Sequence, residues 1–171
     1  MIRFISMVLL MHFFQSGFSQ NLNKIILDEK RQMDILVGEV DMDGITGTVF
    51  GDYYAQEFDP YQPDEITLNS LRNSLASDFQ FTIVLGTWCS DSQREVPRML
   101  KVLSEAGVDY DKLKLYGVDS YKEAEGTPVA SLNIEKVPTL IIFRAGIELG
   151  RIIETPVKSI EKDVLGIVES Y

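Results

Sequence analysis

Apolar positions mark out the second half of the chain as a series of short buried runs and periodic faces. Residues 81–85, Phe-Thr-Ile-Val-Leu, form a continuous apolar run ended by Gly86 and Thr87, which predicts a buried strand. Directly beyond it, Val96, Met99, Leu100 and Leu103 recur at helical spacing, so the pattern predicts a helix with one apolar face, closed by Gly107. Residues 114–118 read as a second strand. Residues 121–132 read as a weaker helix, interrupted by Gly126 and Pro128. Residues 140–143 and 148–153, joined by Arg144-Ala145-Gly146, predict a hairpin. Val157, Ile160, Val164, Leu165, Ile167 and Val168 predict a terminal helix. The order β-α-β-α-β-β-α implies an α/β fold, with a central mixed sheet flanked by helices on both faces.

The first part of the chain is less regular. Leu22, Ile25, Ile26, Met33 and Leu36, with charges between them, predict a helix over residues 21–36. Residues 37–51, rich in Gly and Asp, read as a solvated turn; Glu39, Asp41 and Asp43 lack the further ligands and closing Glu of an EF-hand. Phe50, Tyr53, Tyr54, Phe58 and Tyr61 cluster around a predicted short helix, and such a stripe more often buries a segment than lines a groove. Asp59 to Pro63 is a loop, which places a soft boundary near Pro63. Ile66, Leu68, Leu71 and Leu75 then form a partly helical lead into the strand at Phe81.

Residues 1–19 carry one charge, Arg3, then an apolar stretch and a small-residue tail containing Gly17 and Ser19. This is the pattern of a secretory signal peptide cleaved near Ser19–Gln20, too short to span a bilayer comfortably. The expected organisation is therefore 1–19 signal peptide, 20–65 helical N-terminal extension packing on the core, and 66–171 the main domain. The expected location is the periplasm or the extracellular space, with no membrane span after signal removal.

At 171 residues and 45% hydrophobic content the chain can fill one core. Its formal net charge of −10 disfavours nucleic acid or an anionic membrane as a partner. Export also changes the chemical inventory. The only histidine, His12, falls within the signal, so the mature chain would hold no imidazole for Ser-His-Asp or Cys-His catalysis, or for a His-based metal site. No metal and no cofactor is expected, since no phosphate-cradling Gly loop is present either. Cys89 is the only cysteine, so no intramolecular disulfide can form. In an oxidising compartment it is either a reactive thiol or a buried remnant.

Cys89 falls in the turn between the strand and the helix. Backbone N–H groups at a helix start are unpaired and the helix dipole favours an anion, so a thiolate placed there is stabilised. Asp91 opposes that effect. Arg94, one turn along, reads mainly as helical surface charge.

Trp88-Cys89, a helix carrying Pro97 and the later Val137-Pro138-Thr139 segment resemble, in that order, the active-site and cis-proline segments of the thioredoxin family. The resemblance covers roughly residues 66–171 and implies a thioredoxin-like fold. It further implies that the Pro138 loop faces Cys89 and offers the backbone at Val137 to an extended substrate. Two departures matter. Ser92 stands where the family carries its second cysteine, and Ile83 stands where many members carry a buried Asp that handles protons.

An alcohol cannot resolve a mixed disulfide, so dithiol oxidation or reduction within one molecule is excluded. Three readings remain. In the first, Cys89 performs monothiol thiol–disulfide exchange, isomerase-like or by capture of partner cysteines, with Ser92 orienting the sulfur by a hydrogen bond. In the second, a redox-inactive module binds extended peptide near Trp88, Val137 and Pro138. In the third, the domain is structural and its thiol inert. Expected partners are protein thiols or disulfides, or small thiols, engaged by a monomer.

Overall fold

The computed structural model describes residues 22–170. The expected signal segment and His12 lie outside the described residues.

The run at Phe81 lies within strand β4 (Phe79–Leu85), the middle strand of a five-stranded sheet. Strand β5 (Leu113–Gly117) pairs with it in parallel, Phe81 opposite Leu113 and Leu85 opposite Gly117. Strand β6 (Thr139–Arg144) lies antiparallel on its other side, followed by β7 (Ile147–Ile153), also antiparallel. The β6–β7 turn is tight because Ala145 and Gly146 both hold positive φ, 49° and 80°, the geometry a two-residue hairpin turn requires. Strand β3 (Gly38–Val40) completes the opposite edge, antiparallel to β5, and gives the order β3-β5-β4-β6-β7.

Side chains alternate across a strand, so β4 feeds two cores. Phe79, Phe81, Ile83 and Leu85 enter the larger core. There they meet helices α3 (Glu65–Ser74), α4 (Ser90–Glu105) and α5 (Ile160–Glu169), together with Phe50 ahead of α2 (Gly51–Phe58). Val84 points the other way, into a smaller cluster with Val118, Ala124, Val129 and Val137, against which Trp88 and Cys89 pack. Pro97 sits inside α4 without ending it; the missing N–H removes one rung only.

Three local expectations are corrected. The helix expected over 21–36 is a hairpin, β1 (Ile25–Asp28) paired antiparallel with β2 (Met33–Leu36). Its turn is closed by the Asp28 carbonyl, which accepts from the N–H groups of Arg31 and Gln32, with Gln32 at φ 55°. That local closure outcompetes the helix and leaves Leu22, Ile25 and Leu27 about half exposed. The stretch 37–51 is not a plain solvated turn. It supplies β3 and a short helix α1 (Met42–Thr46), started by Asp41, whose carboxylate accepts from the backbone N–H groups of Asp43 and Gly44. Those bonds and one from Asn23, the largest influence, hold the Asp41 carboxyl below its ordinary range. The weak helix expected over 121–132 reduces to a 3-10 turn at Pro128–Ser131, because Lys122 and Gly126 adopt positive φ and Pro128 withholds an N–H.

Among the described residues no helix is long and apolar enough to cross a membrane.

Candidate functional site

Chain direction and sheet order bring two distant segments together at one end of β4. The first is the turn 86–89. Strand β4 stops at Leu85, the Cys89 N–H donates to the Gly86 carbonyl at 2.8 Å, and the Cys89 carbonyl accepts the first helical bond, from the Gln93 N–H, at 2.9 Å. Cys89 is thus the N-cap of α4, extended at φ −94° and ψ 125°, and its side chain makes no capping bond. The second segment is the loop before β6, where the Val137–Pro138 peptide is cis. Cys89 is partly exposed, and its Sγ–H donates to the Val137 carbonyl at 3.3 Å.

Trp88 is fixed on several sides. Its Nε1–H donates to the Val118 carbonyl at 3.0 Å. Its indole lies flat against Gly86, where an added Cβ would come within 2.7 Å of Cε2, so this close approach needs glycine. On the ring sits the Arg31 guanidinium, its Cζ 3.9 Å from the ring centroid. Arg31 Nε in turn donates to Ser120 Oγ at 2.8 Å, and Ser120 Oγ donates to the Asp28 carboxylate. That bond, foremost among several, holds the Asp28 carboxyl below its ordinary range. The hairpin is also tied to the turn itself, since the Leu36 N–H donates to the buried Thr87 hydroxyl at 3.2 Å.

Ser92 is fully buried, and its Oγ accepts the Gly86 N–H at 3.2 Å. It therefore braces the 86–89 turn; the hydrogen bond to sulfur that the sequence suggested is not the one it makes. Asp91 does not stand alone beside the thiol, because Arg94 Nη2 lies 2.9 Å from its carboxylate. One residue before Val137, Lys136 pairs with Glu154 at 2.6 Å. This hydrogen bond chiefly raises the Lys136 ammonium above its ordinary range, and the charge of Asp91 adds to the effect. Ile83 is fully buried in the larger core, so an aliphatic group fills the place where the resemblance would put a proton-handling carboxylate. Among the described residues no group of three or more His, Cys, Asp or Glu side chains is placed to hold a metal ion.

Of the residues singled out from the sequence, the partly exposed Trp88 and Cys89 pack against the cluster that holds Val137, while Val137, Pro138 and Ser92 are buried. Arg31, Ser120, Asp28, Thr87 and Val118 escaped the sequence reading. They lie far from Cys89 along the chain or carry no motif, and only the hairpin that replaces the expected helix brings Asp28 and Arg31 near.

No protein-family profile matches the chain. A curated relative, the thioredoxin-like protein R548 of Acanthamoeba polyphaga mimivirus, is 24% identical over 103 residues, covering 58% of this chain and 72% of the relative. Among solved structures, a Pseudomonas aeruginosa protein of unknown function matches 71% of this chain and 82% of its own length, with TM-score 0.51 and 13% identity. Thioredoxin O2 of Arabidopsis thaliana matches 61% and 83%, with TM-score 0.38 and 21% identity. The strand order, the cysteine at the start of α4 facing a cis-proline loop and the curated relative together define a thioredoxin-like fold. Within that fold this chain carries a single cysteine.

Proposed function

We propose that this is an exported monothiol exchange protein, in which Cys89 forms and releases mixed disulfides with partner proteins or small thiols. One observation carries the reading: a partly exposed thiol at the start of α4 stands in hydrogen-bond contact with the Val137 backbone of the cis-proline loop.

The thiol form of Cys89 donates to the Val137 carbonyl, whereas a thiolate cannot. Deprotonation therefore frees that carbonyl to accept an N–H from an extended partner as the sulfur becomes nucleophilic. The thiolate attacks one sulfur of a partner disulfide. The partner S–S bond breaks, a Cys89–partner S–S bond forms, and the displaced thiolate takes a proton from water. A second thiol, from the same partner or from a small molecule, then attacks the partner's sulfur and releases Cys89. No net oxidation occurs, which suits shuffling or capture. Ser92 has the positioning role of holding the Gly86 turn. Trp88 and the Val137 backbone, set by Pro138, are assigned the partner-binding role.

Residues 66–171 are assigned to the exchange domain and residues 20–65 to an extension packed on it. Export with cleavage near Ser19–Gln20 rests on the sequence pattern of residues 1–19.

The competing reading is a redox-inactive module that binds extended peptide near Trp88 and Val137. It draws support from Ser92 and Ile83, both fully buried and in the two places where exchange chemistry would want a thiol and a carboxylate.

Trapping of covalent partners in the exporting cell separates the two. Acid quench and alkylation are applied to wild type and Cys89→Ala, and adducts that need Cys89 and dissolve in reductant support exchange. Identical adduct-free profiles, with partners still recovered without a covalent bond, would sink it in favour of the binding module.

A further inference from the structure

Arg31 differs from its counterparts. Among the described residues, Arg72, Arg94, Arg98, Arg144 and Arg151 each hold a carboxylate within 4 Å, and Arg31 does not. It is an exposed residue with its guanidinium stacked on Trp88, the chain neighbour of Cys89. Its Nε is committed to Ser120. Nη1 and Nη2 have no partner among the described residues.

Two of the acids nearby are occupied. Asp28 accepts from Ser120 Oγ and from the Arg31 backbone N–H, and Asp119 accepts from the N–H groups of Tyr121 and Glu123. Asp28, Asp119 and Ser120 also line an open cleft of about 450 Å³, together with Glu29, Lys30 and Tyr121. Lys30 lies over the Tyr121 ring at 5.2 Å. The site thus presents, on a chain of net charge −10, a planar cation with free donors stacked on Trp88, the chain neighbour of Cys89. A planar fork of that kind matches a carboxylate.

We propose that Arg31 is a specificity-determining residue, which selects partner disulfides carrying a carboxylate close to the scissile sulfur. The proposal rests on the exchange reading of Cys89. The carboxylate pairs with Nη1 and Nη2 while Cys89 attacks the adjacent sulfur; the S–S bond of the substrate breaks, the Cys89 mixed disulfide forms and the substrate's other half departs as thiolate.

The test measures the rate of Cys89 mixed-disulfide formation with two small symmetrical probes, the dianionic dithiodiglycolate and the neutral hydroxyethyl disulfide. The readout is the ratio of the two rates in wild type, Arg31→Lys and Arg31→Gln. The ratio cancels any general change in thiol reactivity, and dividing each variant's ratio by that of wild type also cancels the repulsion that the rest of this acidic protein exerts on the dianion. Arg31→Gln is expected to lower the ratio about fivefold, the size of one exposed ion pair. Arg31→Lys is expected to recover only part of it, because the charge remains while the planar fork is lost. In about 1 M salt, where the Debye length falls to about 3 Å, wild type is expected to approach Arg31→Gln. Far-UV circular dichroism verifies that both variants fold. A ratio unchanged in Arg31→Gln, with both probes still reacting, overturns the role of Arg31 and leaves exchange standing. Failure of wild-type Cys89 to react with either probe overturns the exchange reading and this proposal with it.

Discussion

The Cys89 sulfur and the Val137 carbonyl oxygen stand 3.3 Å apart, although 48 positions separate the two residues in the chain. Only the antiparallel pairing of β6 beside β4 makes this possible, because it returns the chain to the end of β4 where α4 begins. The contact leaves the thiol partly exposed, so Cys89 is expected to alkylate to completion in the folded protein, without denaturant, and faster as the pH rises. Mass spectrometry of iodoacetamide-treated protein checks this. Labelling that waits for unfolding would show a thiol sealed against the smaller core.

Gly86 and Trp88 depend on each other. A Cβ at position 86 would come within 2.7 Å of the indole, so Gly86→Ala must push Trp88 away from the Val118 carbonyl and from beneath Arg31. Overpacking of this kind costs about 1–3 kcal/mol. The variant is expected to show that loss in urea unfolding, together with altered emission from the sole tryptophan. Wild-type emission in a destabilised variant would place the strain in the backbone instead.

Ser92 lies one helical turn beyond Cys89, where a second thiol would convert the site's chemistry. Ser92→Cys replaces the oxygen that accepts the Gly86 N–H and is expected to cost about 1 kcal/mol. In return, the thiolate introduced at position 92 can attack the Cys89 sulfur, break the Cys89–partner bond and release the partner as thiolate. Mixed-disulfide adducts trapped with wild type are therefore expected to fall several-fold in Ser92→Cys, as a disulfide between positions 89 and 92 accumulates. Adduct yields equal to wild type, with the variant folded, would show that the two positions cannot bond.

The parts of this architecture that declare themselves in sequence are those whose burial is continuous or periodic. The run 81–85 read correctly because it is buried on both faces of the sheet, and the face Val96, Met99, Leu100, Leu103 because those side chains enter the larger core. So did the 140–153 hairpin, whose turn needs the residues found there. The segment 21–36 misled for the opposite reason. Leu22, Ile25 and Leu27 are apolar yet exposed, and the turn that decides the local fold depends on Asp28 accepting backbone hydrogen bonds, which no periodicity encodes. The same error concealed half of the site's surroundings, because Arg31 reaches Trp88 only from a hairpin. Cys89, Trp88 and the Pro138 loop were legible as motifs. The brace from Ser92 to Gly86 was not, since a buried serine three residues after a cysteine can face the sulfur or the turn.

Tyr61 and Glu161 offer a test of how firmly the early segment is joined to the rest. The Tyr61 hydroxyl donates to Glu161 Oε2 at 3.0 Å, and the Asp64 N–H donates to Oε1 at 3.1 Å. Burial by itself would raise the Glu161 carboxyl, but bonds from its own N–H, Asp64 and Tyr61 outweigh it and hold the group below the ordinary glutamate value of 4.5. Burial, aided by the Glu161 charge, raises the Tyr61 phenol above its ordinary range, so it remains a donor throughout. A depressed folded-state carboxyl contributes stability that is complete above its unfolded value and is lost as the pH falls through its folded value. Tyr61→Phe removes a hydrogen bond to a buried charge and is expected to cost about 1.5–3 kcal/mol at pH 7. The penalty is expected to shrink in the acid limb, below the unfolded value of 4.5 and through the lower folded value, where Glu161 takes up its proton. Urea unfolding of wild type and Tyr61→Phe at pH 7 and across that limb decides the matter. A penalty independent of pH would mean that Tyr61 contributes through its ring packing alone.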